Sequence, residues 1–218
     1  HDLQKFSNYI KDGTGLLKKY PIPQRQAWMH NAKGIGLYEE GNKKEASTHF
    51  TQALSHKPDN SAIMMNASIA THGLGRNRDA ILTGKRAIKQ DSGNFHLWRV
   101  LGYLFLSMGK IENAIEAMTK AQDINPGNMD VYYSLAVCYY KNEQPVECAK
   151  ELSKTKKKST HQNAIQHACV DILSGKKNEA LAKLKHSIEQ GEIEKHCIQR
   201  DPNLHFLLNP QELMESIQ

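Results

Sequence analysis

The chain has 218 residues and carries 29 lysines and arginines against 23 aspartates and glutamates, a net charge of +6. Its hydrophobic share of 39% is enough to build a packed interior. No run approaches the roughly 20 apolar residues of a membrane-spanning helix, and Cys138, Cys148, Cys169 and Cys197 form no CxxC pair, so neither a disulfide framework nor a zinc ribbon fits.

Residues 1–26 read as an N-terminal helical cap and linker. Leu3, Phe6, Tyr9 and Ile10 share one helical face, Asp12-Gly13-Thr14-Gly15 breaks it, and Pro21-Ile22-Pro23 reads as a stiff link. No charged start followed by an apolar stretch stands here. A soluble cytoplasmic protein with reduced thiols is therefore expected, although a signal removed before residue 1 would leave no trace.

From residue 27 the chain repeats with a period of 34. One column reads Gly34, Ser68, Gly102, Ala136; a second Ala46, Ala80, Ala114, Cys148; a third Ala53, Ala87, Ala121, Thr155. Small residues at these places let two antiparallel helices approach, and Leu37, Phe105 and Tyr139 fill the space beside them. A turn column reads Gly41, Gly75, Gly109, Glu143, and Pro58 and Pro126 close the first and third blocks. Glycine permits the turn after the first helix, and proline stops the second.

This pattern resembles the tetratricopeptide repeat, best in 95–128, where Trp98, Leu101, Gly102, Phe105, Ala114, Met118, Ala121 and Pro126 fit the signature places. The resemblance implies an all-α fold, a right-handed superhelical solenoid of antiparallel helix hairpins. Four regular repeats are expected at 27–60, 61–94, 95–128 and 129–162, followed by a degenerate fifth at 163–196 and a C-terminal cap at 197–218. The tail from Asp201-Pro202 to Leu213 is similar to the segment that ends groups of such repeats in many bacterial proteins. Terminal units of a solenoid must be polar outside, since each exposes an apolar helix face.

The departures carry expectations of their own. His30 and Lys33 stand where apolar residues are usual, so that side of repeat 1 is solvated or met by the N-terminal segment. Gly84 stands in place of a large apolar residue and leaves a gap or admits a close neighbour. It also makes the second helix of repeat 2 the weakest of the array, since glycine costs about 1 kcal/mol against alanine there.

In this family the first helices line the inside of the superhelix, so their non-core stripe is the expected partner-binding groove. Places 2, 5, 9 and 12 share that face. They supply Trp28, Asn31, Ile35 and Tyr38; Ala62, Met65, Ile69 and His72; His96, Arg99, Tyr103 and Leu106; Asp130, Tyr133, Val137 and Tyr140, with Asn66 and Lys141 flanking. Tyrosine, tryptophan and arginine dominate binding hot spots. The two-carboxylate clamp of chaperone-tail repeats is missing, because Asn31, Ile35, Asn66, His96 and Val100 occupy its places. An extended or helical partner segment with apolar anchors is expected, and not an acidic C-terminus.

Other constellations lead elsewhere or nowhere. Lys150, Lys154, Lys156, Lys157 and Lys158 form a cluster expected to be a solvated helix end, with contact to nucleic acid or an anionic surface as the alternative. His167 with Asp171, and His196, Cys197, Asp201 and His205, do not fix the three or four converging ligands that zinc needs. GxSxG, HExxH and phosphate-cradling glycine loops are absent. The sequence thus reads as a non-catalytic scaffold or adaptor for another protein or peptide, with no metal or cofactor. Self-assembly into a homo-oligomer is a further alternative.

Overall fold

The computed structural model describes residues 20–158 and 164–216, and the expected cap helix around Leu3 to Ile10 lies outside them. The described residues form helices joined by short turns, with no strand among them. Contacts divide the chain into an N-unit, 1–104, and a C-unit, 105–218.

In the N-unit, α1 (Ile22–Glu39) pairs with α2 (Lys43–His56), and α3 (Ser61–Gly73) with α4 (Asn77–Gln90). α3 also packs on both α1 and α2. α5 (Phe95–Ser107) begins in this unit. The expected Pro21-Ile22-Pro23 link is corrected: Pro21 is the N-cap and Pro23 sits in the first turn of α1. Proline is accepted there because the first turn has no intrahelical partner for its missing N–H.

The repeat signature explains the packing. Gly34 lies against the Phe50 ring, and Ala46, Phe50 and Ala70 form one buried cluster with Ile35, Leu37, Tyr38 and Ala67 at its edge. Burying Phe50 contributes roughly 2–3 kcal/mol. Repeat 2 inverts this arrangement. At Gly84 a Cβ would meet Leu101 Cδ1 and Ser68 Oγ at 3.2 Å each, so glycine admits close neighbours and leaves no gap. The buried Ser68 hydroxyl donates to the Ala80 carbonyl at 2.6 Å, crossing from α3 to α4.

Turns recur with the same geometry. Gly41, Gly75 and Gly109 adopt φ of 88°, 78° and 70°, and Glu143 follows at 54°. After each, the next N–H reaches back five residues: Asn42 to Leu37, Arg76 to Thr71, Lys110 to Phe105, Gln144 to Tyr139. These bonds satisfy carbonyls that the helix end would leave orphaned. Ser92 in place of proline does not disturb the other turn. Trp98 Nε1 donates to the Ser92 carbonyl at 2.9 Å, and Tyr132 Oη makes the matching bond to Pro126 at 2.9 Å.

The C-unit continues with α6 (Ile111–Ile124), α7 (Met129–Lys141), α8 (Pro145–Lys158), α9 (Ala164–Leu173) and α10 (Lys177–Glu189), then short α11 (Lys195–Arg200), α12 (Pro202–Leu207) and α13 (Pro210–Ser216). α7 packs on α6, α8, α9 and α12, and every residue from Val131 to Cys138 is buried. Ile198, Leu204, Leu208 and Leu213 of the tail share a core with Ala168, Cys169, Ile172, Ala180, Leu181 and Leu184. Asp201 starts α12 by accepting the Leu204 N–H at 2.9 Å. Among the described residues no helix is long and apolar enough to cross a membrane.

Candidate functional site

In the N-unit the first helices of repeats 1 and 2 lie side by side, which brings stripe residues of the two helices together. Ile35, Tyr38, Asn66 and Ile69 line a cleft of about 190 Å3, joined by Phe50 from below and by Glu39. The Asn66 amide is fixed there, because its Nδ2 donates to Asn31 Oδ1 at 2.9 Å. That bond holds the amide plane and leaves hydrogen-bonding capacity on Asn66. Burial raises the Tyr38 phenol above its ordinary value, so the hydroxyl stays protonated.

The remaining stripe residues of this unit are more dispersed. Trp28 is half-buried and takes the Tyr20 ring edge-on at 4.8 Å. His72 Nδ1 lies 2.8 Å from Asn77 Oδ1. His96 is exposed beside the Phe95 ring, while Arg99 and Tyr103 are half-buried. Met65 is not a groove residue: it is only 3% exposed, and its sulfur lies 3.8 Å from the Cβ position of Gly84.

Three stripe residues of the C-unit are likewise corrected. Leu106, Tyr133 and Val137 are core residues, exposed by 7%, 1% and 0%. Tyr133 packs with Ala136, Cys148 and Leu152, and Val170 and Leu173 of α9 close over the same cluster. Helices α9 and α12 both pack against α7. Tyr140 and Lys141 stay at the surface and line a separate cleft of about 540 Å3 with Glu143, Gln144 and Pro145.

The lysine cluster is partly drawn inward. Lys154 Nζ pairs with the buried Glu151 carboxylate at 2.6 Å and sits over the Tyr132 ring at 5.7 Å, and Gln122 Nε2 also donates to Glu151. Lys154 is thus ion-paired while its side chain stays 36% exposed, and the side chains of Lys156, Lys157 and Lys158 lie outside the described residues. Among the described residues no three histidines, cysteines or carboxylates are placed to hold a metal ion. Asp171 is paired with Lys183 at 2.7 Å, and Asp201 caps α12. Cys148 and Cys169 are buried, as their core places imply.

Sequence reasoning missed Phe50 and Glu39 in the first cleft and Glu143 to Pro145 in the second. Phe50 had a signal: it is the large partner of Gly34 across the hairpin.

Two family profiles described as tetratricopeptide repeat match residues 31–95 and 105–169. The chain belongs to the tetratricopeptide-repeat family. A thermophilic tetratricopeptide-repeat protein of Thermus thermophilus, TTC0263, has a similar fold at a TM-score of 0.65 and 17% identity, with 87% of this chain and 99% of that one covered. The first tetratricopeptide-repeat domain of Spaghetti (RPAP3), bound to the HSP90 peptide SRMEEVD, is similar at a TM-score of 0.50 and 18% identity, covering 55% of this chain and 95% of that one. The wheat (Triticum aestivum) Hsp70-Hsp90 organizing protein is 27% identical over 105 residues, 48% of this chain. That match spans 18% of the wheat protein's length.

Proposed function

We propose that this tetratricopeptide-repeat chain is a protein-interaction adaptor that holds a segment of a partner polypeptide against the cleft between α1 and α3. One observation carries the reading: Ile35, Tyr38, Asn66 and Ile69, from successive repeats, converge on one apolar-walled cleft with a fixed amide. An apolar side chain of the partner would rest on Ile35, Ile69 and Tyr38, and Asn66 would meet its backbone. Pockets of apolar wall with a few convergent polar groups are the usual form of such sites. The peptide-bound Spaghetti domain and the organizing role in the wheat protein's name support a polypeptide as the class of ligand.

The chemistry differs from what the acidic peptide SRMEEVD would require. Among the described residues no lysine or arginine lines this cleft to receive carboxylates. We infer binding without catalysis, since apolar walls and an amide suit recognition better than acid–base turnover. We infer a reduced, cytoplasmic setting from the four cysteines, which form no CxxC pair.

The test is selection of a random peptide display library on the full chain, with the Tyr38→Ala variant as counter-selection. Enriched peptides should share an apolar anchor and bind the variant at least about tenfold more weakly, the effect of losing one good contact. Enriched peptides that bind both proteins equally would overturn this site.

A further inference from the structure

Three histidines meet on the α1–α2 hairpin. His30 Nδ1 of α1 lies 3.0 Å from His49 Nδ1 of α2, with ring centroids 5.3 Å apart, and His56 of α2 stacks near His30 at 5.9 Å. The short nitrogen separation makes this a hydrogen bond in which one Nδ1 donates and the other accepts. The pair needs one proton between the two nitrogens. Full protonation of both rings would set two N–H groups against each other, with His56 and Lys33 adding positive charge nearby.

The position of this bond matters. His49 precedes Phe50, whose ring rests on Gly34 and forms one wall of the cleft, and His30 lies five residues before Ile35 on the same helix. Both short stretches are continuous helix, so the bond and the cleft belong to the same packed pair of helices, α1 and α2.

We propose that the His30–His49 bond is a proton-sensitive bolt that sets the shape of the Ile35, Tyr38 and Ile69 cleft, closing it for binding at neutral pH and loosening it in acid. The importance of that shape rests on the cleft being the partner site, but the bolt itself can be tested without any partner. The described groups acting on His30 are His49 and His56 from α2 and Lys33 from α1; no described charged group of α3 acts on it. Burial first, then these three, hold His30 below its ordinary pKa. The sign follows: the unfolded chain takes up this proton more readily, so the contribution is full above the ordinary imidazole range and is lost as pH falls through the folded value.

The experiment is a pH titration of the unliganded full chain by NMR, following the histidine rings and the δ1 methyls of Ile35 and Ile69. In the wild type His30 should titrate below an ordinary histidine, and both methyl signals should move with the same midpoint. In His49→Gln, which keeps a hydrogen-bonding partner but cannot be protonated, the His30 midpoint should rise and the methyl response should shrink. Methyl signals that stay fixed through the His30 titration overturn the coupling, and an ordinary His30 midpoint overturns the bolt. Either failure leaves the peptide selection unaffected, and a failed selection leaves this titration unaffected.

Discussion

Gly34 faces Phe50 so closely that a Cβ added to Gly34 would lie 2.8 Å from Phe50 Cε1 and 3.0 Å from Cζ. Phe50 is 2% exposed and has nowhere to retreat. Gly34→Ala gains about 1 kcal/mol of helix propensity but incurs about 1–3 kcal/mol of overpacking, so a net loss of stability is expected. Urea denaturation checks this, and the double variant Gly34→Ala/Phe50→Leu should recover part of the loss.

The second repeat tests the same logic with the sizes exchanged. Ser68 Oγ, fixed by its bond to the Ala80 carbonyl, stands 3.2 Å from the Cβ position of Gly84. Gly84→Ala should therefore be no more stable than the wild type despite its better propensity, and Ser68→Ala should cost about 0.5–1.5 kcal/mol for the lost hydrogen bond. Thermal unfolding of both variants decides.

Glu143 is the non-glycine residue of the turn column, at φ 54°. Glu143→Gly relieves a left-handed backbone and should stabilise by up to about 1 kcal/mol, whereas Gly75→Ala, at φ 78°, should destabilise. Denaturation midpoints measured side by side give the two signs.

Lys154 and Lys150 separate the partner of a buried carboxylate from a surface charge. Lys154→Ala leaves the Glu151 carboxylate, in a residue 5% exposed, with Gln122 alone, and a loss of roughly 1–3 kcal/mol is expected. Lys150→Ala, on an exposed side chain, should stay within about 0.5 kcal/mol of the wild type. Chemical denaturation of the two variants in parallel measures the contrast.

Asp201 has a pH signature of its own. Burial raises its carboxyl above the ordinary value, while backbone N–H groups of Leu204 and Asn203 oppose the shift. A raised folded pKa means that its contribution is full at low pH and is lost as pH rises through the folded value. Asp201→Asn keeps an acceptor for the Leu204 N–H and should abolish that dependence, whereas Asp201→Ala should also lose the α12 cap, about 1 kcal/mol. Stability measured from pH 3 to 7, a range of roughly four units around the ordinary carboxyl value, separates the two.

The repeat was legible because a 34-residue period fixes helix, turn and small-residue contact together, as Gly41, Gly75 and Gly109 and the Gly34–Phe50 contact illustrate. The candidate site was legible only in part. Ile35, Tyr38, Asn66 and Ile69 stand on a helix face shared by two repeats, and that face can be counted from the sequence. Tyr133 and Val137 occupy places on the same face of α7, but both are buried, with Val170 and Leu173 of the more distant α9 packed on the Tyr133 cluster. A stripe counted on one helix cannot reveal what a distant segment lays across it. The same limit hid the His30–His49 bond, since the two residues are 19 positions apart and neither is apolar.

The α1–α3 cleft is proposed to bind a polypeptide segment through an apolar anchor. Fluorescence anisotropy of a display-selected peptide, measured against the wild type, Tyr38→Ala and Ile69→Ala at equal stability, tests it most directly. The expected result is a loss of about tenfold or more in affinity for each variant, near 1.4 kcal/mol. Unchanged affinity in both variants, with helicity and unfolding midpoint intact, would contradict it.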